Sequence, residues 1–213
     1  MIDNRQNIIN ATARLLQTQG LARLTTREIA RKAKVAEGLI YHHFKDKAEL
    51  IYEVVEQLML DAKNVLQSLP LQVGLRTLSE NLEEVLSVVY RSYYEIVPIV
   101  CSVFADHQLR ARMREIMKER EVGPQHAIDG LAAYLAAEQR LGRMAKTVIP
   151  QVAAKCLWMI IIQSAMLDRL IGNKSDKTHI SREIRNYLQT LMAGFEPRPK
   201  TQKKIGLKKS QKL

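Results

Sequence analysis

The chain has 213 residues, of which 46% are hydrophobic and 26% charged, and its formal net charge is +11. This composition is typical of a globular protein, and only two cysteines, 55 residues apart, exclude a disulfide framework. Most of the positive charge lies at the two ends: residues 1–50 carry nine Lys or Arg against five Asp or Glu, and residues 196–213 carry seven against one. This distribution favours a polyanion as the partner of both ends.

The sequence predicts neither export nor membrane insertion. Polar residues at 3–7 interrupt any early apolar run, so no signal peptide is expected. The longest apolar run, residues 156–162, is too short to span a bilayer. Both cysteines lie in apolar surroundings without metal-ligand spacing, as is usual in a reducing compartment. We therefore expect a soluble cytoplasmic protein without membrane contact.

Apolar residues recur at helical spacing along most of the chain, and strand-like alternation is absent from the sequence. Gly20 is placed to end the first helix, Gly123 and Pro124 are placed to interrupt or kink a later one, and Pro150 is placed to begin the helix from residue 150. The pattern predicts helices over residues 5–19, 25–33, 37–44, 47–66, 75–94, 98–106, 108–122, 124–138, 150–171 and 178–195. The predicted fold class is therefore all-α.

Residues 25–44 predict two short helices around a tight turn. Thr25 and Glu28 have the spacing of a capping box at the start of the first helix, and Lys34 lies at the corner. Polar groups on the second helix suit phosphates and base edges in a DNA major groove, namely those of Tyr41, His42 and, close by, His43. The pattern indicates a DNA-binding protein.

Residues 8–50 carry a set of fixed spacings that resembles the TetR (tetracycline-repressor) family of bacterial transcription regulators. The matching pattern is Ile8-Ile9-x-Ala11, Leu15-Leu16-x-x-x-Gly20, Thr25-x-x-Glu28-Ile29-Ala30, Ala33-x-Val35, Gly38-x-x-Tyr41-x-His43-Phe44 and Lys47-x-x-Leu50. Two positions depart from it: Lys34 replaces the usual turn glycine, and Ala36 replaces the usual Ser or Thr cap. A left-handed lysine costs about 1 kcal/mol relative to glycine, and a missing cap costs about another 1 kcal/mol.

The resemblance implies a DNA-binding surface on the two short helices. Two residues have a structural alternative, since Tyr41 could pack against the first helix and His43 could be half-buried beside Phe44. Lys47 begins a helix, where an ammonium is unfavourable to the helix dipole, and a nearby phosphate would account for it. The residues expected at the DNA are Thr25, Thr26, Arg27, Glu37, Gly38, Leu39, Tyr41, His42, His43 and Lys47.

The resemblance also implies an N-terminal three-helix helix-turn-helix domain at residues 1–46 and a helical-bundle domain for ligand binding and dimerisation at 47–195. It implies a homodimer through the helices at about 150–172 and 178–195. The first of these has more apolar surface than one neighbour needs, through Ala153, Leu157, Ile160, Ile161 and Ala165. Residues 196–213 have too few apolar side chains to pack and are predicted to be a basic disordered tail.

By the same resemblance, the expected function is a transcriptional repressor that a small molecule releases from its operator. The regulatory segments suit a mainly apolar effector, such as an acyl or aromatic compound, held by few polar contacts. An acidic head group could be neutralised by Arg110, Arg112, Arg114 or His126. The candidate pocket residues are Tyr90, Tyr93, Tyr94, Cys101, Phe104, Met113, Met117, His126, Tyr134, Trp158 and Met159.

Two other classes of function were weighed against this one. An enzyme is not expected, because the sequence has no nucleophile–base arrangement and no glycine-rich phosphate loop. His107, His126 and His179 are scattered, so neither a metal site nor a cofactor is expected. A ligand-independent architectural or nucleoid-associated DNA-binding protein is the alternative function.

Overall fold

The computed structural model describes residues 3–173 and 176–195, which form ten α-helices and no strand. The helices are α1 (Asn4–Gln19), α2 (Thr26–Ala33), α3 (Glu37–His43), α4 (Lys47–Leu58), α5 (Leu60–Ser68), α6 (Leu78–Ala105), α7 (His107–Glu119), α8 (Pro124–Arg140), α9 (Pro150–Ile171) and α10 (Lys177–Phe195). The all-α prediction is therefore confirmed. The predicted tail at 196–213 lies outside the described residues.

The described residues pack around two apolar cores. The first core joins α1, α2, α3 and α4, and it also takes in Ile99 of α6 and Met113 and Ile116 of α7. The second core joins α5, α8, α9 and α10 to the earlier part of α6, including Tyr90. Helix α6 thus contributes to both cores, and the helices that follow α4 complete the packing beneath the N-terminal ones.

Local chemistry places several helix ends where the sequence predicts them. Gly20 ends α1 with a φ of 74°, and its N–H donates to the carbonyl of Leu16. Pro124 and Pro150 are the first residues of α8 and α9, where the missing N–H has no intrahelical partner to lose. At Thr25, however, only half of the predicted capping box forms. Its hydroxyl accepts from the Glu28 N–H at 3.2 Å, while one buried Glu28 carboxylate oxygen has no hydrogen-bond partner among the described residues.

Two helix boundaries differ from the prediction. The helix predicted over 47–66 is interrupted at Met59, whose φ of −92° and ψ of 0° separate α4 from α5. Conversely, α6 runs through Pro98, where the prediction had two helices. Pro98 removes one backbone hydrogen bond, but Ile96, Val97 and Ile99 beside it are buried, and this packing keeps the chain helical. Leu75, expected inside the stripe of this helix, lies before α6 and is 56% exposed.

Helices α6 and α9 are long and apolar enough to cross a membrane when judged by length and composition alone, with a mean hydropathy of 1.2 and 1.3 over 18 residues. The prediction from the short run at 156–162 did not anticipate this. Both helices supply buried side chains to the second core, among them Tyr90 and Trp158. Core helices commonly pass such a test, so the finding is weak evidence for membrane insertion.

The uncapped start of α3 generates a stability prediction. Ala36 has the extended backbone of an N-cap, with φ −69° and ψ 142°, but its side chain makes no capping hydrogen bond. Ala36→Ser is expected to stabilise the protein by about 1 kcal/mol, which raises Tm by roughly 2–4 °C. Thermal unfolding of the free protein measures the effect, and Thr25→Ala is the matched control, expected to lower stability by a similar amount. If Ala36→Ser is no more stable than the wild type, residue 36 is not an N-cap position that a serine side chain can fill.

Candidate nucleic-acid interface

The corner between α2 and α3 is a left-handed turn at Lys34. This residue has φ 59° and ψ 44°, and the N–H groups that follow α2 close on the carbonyls of Ala30 and Arg31. The family pattern has glycine at this position. A lysine in this left-handed conformation destabilises the folded state by about 1 kcal/mol relative to glycine. The substitution leaves the helix-turn-helix geometry intact.

Helix α3 is held by its apolar side and exposes its polar side. Ile40 and Phe44 are almost fully buried in the first core, whereas Tyr41 is 61% exposed and His42 is exposed. The exposure of Tyr41 is inconsistent with its alternative role in packing against α1. His43 is half-buried, and its ring lies 5.3 Å from that of His42 and 6.2 Å from that of Phe44. The ring and hydroxyl groups on this side are free to meet an external partner.

The starts of α2 and α3 lie together. The Thr26 hydroxyl donates to the Glu37 carboxylate, which links the first turns of the two helices. Gly38 has no positive φ, and a Cβ built there would meet nothing within 4 Å. The chain's own packing and backbone conformation therefore do not require glycine at this position. Thr25 and Arg27 are exposed beside them, and Leu39 is half-buried.

Lys47 connects the start of α4 to the loop before α2. Its ammonium donates to the carbonyl of Leu24 at 3.0 Å, a contact that the sequence did not predict. Its phosphate contact stays a prediction, since two of its three protons remain available. All seven Lys and Arg side chains between residues 21 and 47 are exposed, so this part of the surface is strongly basic: Arg23, Arg27, Arg31, Lys32, Lys34, Lys45 and Lys47.

Arg112 of α7 and Arg120, the residue that ends α7, bind carboxylates at the start of α4. We call this network the arginine clamp (Arg112 and Arg120 with Asp46, Glu49 and Glu53). Arg112 Nε donates to Asp46 Oδ2 at 2.8 Å. Arg120 donates to Glu49 Oε1 at 2.9 Å and to Glu53 Oε1 at 2.6 Å. Sequence reasoning missed this network, because its members are 66 to 71 residues apart. It had placed Arg112 near an effector head group, whereas the guanidinium is paired with Asp46.

The clamp lowers the pKa of two of its carboxylates, those of Asp46 and Glu53. Burial raises the pKa of Glu53, but hydrogen bonds from Arg120 and Arg5 outweigh it and leave the pKa below its usual value. Burial also raises the pKa of Asp46, and Arg112 together with the Glu49 N–H lowers it overall. The Arg120 guanidinium lies 4.7 Å from the centre of the Tyr52 ring. The clamp is therefore charged at neutral pH.

The candidate pocket residues do not form one cluster. Tyr90, Tyr94, Tyr134 and Trp158 are buried in the second core, with Tyr93 packed against it. Met113 and Met117 belong to the first core instead. The remaining four are exposed on the surface: Cys101, Phe104, His126 and Met159. Five of them, all aromatic, belong to the second core, in which Tyr93 contacts Trp158 and Tyr90 stacks on Tyr94.

These five aromatic residues, the aromatic cluster, combine ring contacts with buried hydroxyl groups. The Tyr93 ring meets Trp158 edge-on at 5.5 Å, and burial raises the pKa of Tyr93 to about 12. The Tyr90 hydroxyl donates to the buried Asp168 carboxylate, and burial with this contact raises the pKa of Tyr90. Tyr134 accepts from Asn81 Nδ2 at 3.0 Å. No group of three or more metal-ligating side chains is found in the part of the chain that the structure describes.

Two cavities lie away from the aromatic cluster. One of about 250 Å³ is formed by α1 and the end of α2, and its lining includes Arg14, Lys32 and Lys34. The other is an open groove of about 790 Å³ between α9 and α10, whose lining includes Met159 and Tyr187. Of the predicted pocket residues, only Met159 lines either cavity.

The surface of α9 carries an apolar stripe that the sequence analysis placed elsewhere. Ala153, Leu157, Ile161 and Ala165, predicted to supply an interface, are buried within the chain, and Ile160 is half-buried. The helix is apolar on most sides, so its spacing alone did not separate the inward residues from the outward ones. The exposed stripe consists instead of Val152, Met159, Met166 and Leu170.

A capped three-helix unit with a left-handed turn, an exposed polar recognition helix and a basic surface defines a helix-turn-helix DNA-binding protein. Residues 8–54 match the model of the bacterial regulatory proteins of the tetR family. Residues 8–54 therefore carry the DNA-binding domain of the TetR family of transcriptional regulators.

Similar proteins support this assignment over different lengths. The transcriptional regulator HbdR of Aromatoleum sp. (strain CIB) is 31% identical over 136 residues, or 60% of this chain and 55% of HbdR. Other curated regulators align over 54 to 56 residues, which is 25% to 30% of their length. The chain thus matches about half or less of the length of these relatives.

A TetR-family regulator from Mesorhizobium loti MAFF303099 has the same fold, with a TM-score of 0.72 at 18% identity over 91% of this chain and 96% of that one. FadR of Bacillus subtilis, solved with stearoyl-CoA, has a TM-score of 0.65 at 19% identity over 86% of this chain and 96% of FadR.

The exposed face of α3 generates a prediction about DNA affinity. Tyr41→Phe removes one hydroxyl that has no intrachain partner among the described residues, so folding is expected to be unchanged. Operator binding is expected to weaken by about 1 kcal/mol, roughly fivefold, for each hydroxyl lost. Electrophoretic mobility shift with a selected DNA site measures the affinity, and thermal unfolding is the control. An unchanged affinity in the folded variant would remove Tyr41 from the interface.

Proposed function

We propose that the protein is a repressor that binds its operator as a homodimer and is released by a small, mainly apolar effector. The observation that carries the DNA-binding part is the outward face of α3, where Tyr41 and His42 project from a helix anchored by Ile40 and Phe44. DNA contacts at the remaining predicted positions, from Thr25 to Lys47, form part of the same proposal. We propose residue 46 as the end of the DNA-binding part in function only. In packing there is no boundary at residue 46, because the first core includes residues on both sides of it.

The homodimer is proposed to form through α9 and α10. Leu170 is 80% exposed and Met159 is 61% exposed, and both lie on the stripe that follows one side of α9. The groove beside this stripe is lined by Met159, Ile162 and Leu191 together with polar groups of Gln163 and Tyr187. Contiguous exposed apolar surface of this kind is characteristic of protein–protein contacts. A two-fold pairing of α9 and α10 would cover it with the same surface of a second chain.

The effector is proposed to bind at the aromatic cluster between α6, α8 and α9. Trp158 and Tyr93 supply apolar ring surface there, and the Tyr90 and Tyr134 hydroxyls supply a few polar contacts. This composition suits an amphipathic ligand. FadR of Bacillus subtilis, with the same fold, was solved with stearoyl-CoA, which makes a long-chain acyl compound a reasonable first probe. None of the five aromatic residues lines either of the two cavities described above.

Helix α6 is the proposed route from effector to DNA. Tyr90 and Tyr94 belong to the core around the aromatic cluster, and Ile99, one turn further along, belongs to the core beneath α1–α4. A ligand that binds better when α6 is displaced would shift the dimer toward a population whose recognition helices no longer match the operator.

Charge placed on α9 tests the dimer. Met159→Lys is expected to convert the dimer to monomer, because an ammonium cannot be buried in an apolar interface without a partner. Size-exclusion chromatography with light scattering measures the mass, and operator affinity is expected to fall with it. Leu71→Lys is the matched control, since Leu71 is 75% exposed and lies before α6 rather than on α9. A Met159→Lys variant that stays dimeric would refute this interface.

Trp158 fluorescence tests the effector site, because Trp158 is the chain's only tryptophan and is buried in the cluster. We expect one of three probes, stearoyl-CoA, an aromatic acid or a lipophilic cation, to change the emission and to release operator DNA over the same concentrations. Free coenzyme A is the matched control for the acyl chain. If emission and DNA release never change together for any probe, the effector part of the proposal is wrong.

The second candidate, a ligand-independent architectural DNA-binding protein, is favoured by one observation. Tyr93 and Trp158 fill space against each other, and no residue of the aromatic cluster lines either of the two cavities. Such a protein would bind random and selected DNA with similar affinities, whereas a repressor binds its operator tighter by at least about 10³. Competition between selected and random duplexes at one salt concentration separates the two functions.

A further inference from the structure

The arginine clamp attaches α7 to α4 at two separate points. Arg112 binds Asp46 at the first turn of α4, and Arg120 binds Glu49 and Glu53 one and two turns later. The two arginines are eight residues apart, about 12 Å along a helix. Two attachments at this separation define the angle between the helices, which a single ion pair would leave free.

The same carboxylates hold the segment that leads from α3 into α4. Asp46 Oδ1 caps α4 by accepting from the Glu49 N–H at 2.8 Å, while its other oxygen binds Arg112. Glu49 Oε2 accepts from the Lys45 N–H at 2.7 Å, while its other oxygen binds Arg120. Each arginine therefore binds a carboxylate that also accepts a hydrogen bond from the backbone just after α3.

A third connection reaches α1. Glu53 accepts from Arg120 through one oxygen and from Arg5 at 2.7 Å through the other, and its side chain is only 15% exposed. The Arg5 guanidinium also lies 5.3 Å from the centre of the Phe44 ring at the end of α3. Beneath these contacts, Met113 and Ile116 of α7 pack in the first core. Apolar packing has little directional preference, whereas charged hydrogen bonds specify one orientation.

We infer that Arg112 and Arg120 are positioning residues that set the angle of the DNA-binding unit and so determine which half-site spacing the dimer accepts. This inference rests on the proposed dimeric repressor. One extra base pair moves a half-site by about 3.4 Å and rotates it by roughly 35° around the DNA axis. When both arginine contacts are present, the DNA-binding unit resists that displacement. When they are removed, we expect the unit to adjust to the displaced half-site more easily.

The test measures spacing preference rather than affinity. Full-length wild-type protein first selects an operator from random duplexes, and the spacing between its half-sites is then changed by −1, +1 and +2 base pairs. The measured quantity is the ratio of Kd at an altered spacing to Kd at the best spacing. In Arg112→Gln/Arg120→Gln we expect this ratio to fall about threefold to tenfold relative to wild type. Affinity for the best spacing is expected to change less than the ratio.

Arg114→Gln is the control for loss of charge, because it removes one positive charge from an exposed position of α7 that has no ion-pair partner in the described ranges. It is expected to keep the wild-type ratio. Asp46→Asn provides a second route should the double variant fail to fold, since asparagine preserves the cap of α4 but loses the charge that Arg112 binds. It is also expected to lower the ratio.

The outcomes separate this inference from the function on which it rests. The positioning role is overturned if folded Arg112→Gln/Arg120→Gln has the same Kd ratio as the wild type. If the double variant does not fold, the same result in Asp46→Asn overturns it. An equal fall in Arg114→Gln would also overturn it, because charge alone would then explain the effect. A wild-type protein that selects no operator or tolerates every spacing would instead refute the proposed dimeric repressor.

Discussion

One apolar core serves both the N-terminal helices α1–α4 and the helices packed beneath them. Residues of α1–α4 alone form a unit of fewer than about 60 residues, which buries a small fraction of its surface. Ile99 of α6 and Met113 and Ile116 of α7 complete this core. Because interiors are close-packed, α3 cannot change its direction without repacking these contacts. The orientation of the DNA-binding surface is therefore a property of most of the chain.

Ion pairs and charged hydrogen bonds at the edge of this shared core further constrain how its helices are oriented. Single exposed ion pairs contribute little, typically about 0–1 kcal/mol. Here, however, Glu53 links α1 to α7, and Asp46 combines a helix cap with an arginine contact. A network in which each carboxylate has two partners restricts motion more than its separate pairs would. Packing thus supplies the cohesion of the N-terminal unit and limits its direction, and the network adds a further constraint on its orientation.

The features that were predictable from the sequence depend on neighbours within a few residues. Gly20, Lys34 and Pro150 act through their own backbone conformation, and the alternation of buried and exposed residues in α3 follows from helical spacing. The break at Met59 was not predictable, because the apolar pattern continues through it.

Features that depend on long-range packing were also missed. Helical spacing identifies an apolar side but not the core that receives it, so Met113 and Met117 were grouped with aromatic residues that belong to the other core. On α9, nearly every side is apolar, and only the packed structure distinguishes Leu157 inside from Met159 outside. The arginine contacts cross more than sixty residues and leave no local pattern.

Pro98 gives α6 an uneven stiffness. It lies between Tyr94, in the second core, and Ile99, in the first, and its ring removes the backbone bond to the Tyr94 carbonyl. The helix is therefore easiest to bend at the level where the two cores meet. From Pro98 to Ala105 the helix extends about 10 Å, so a bend of roughly 10° there displaces its end by about 2 Å. A hinge of this size lies within the range of small helix shifts that interfaces amplify.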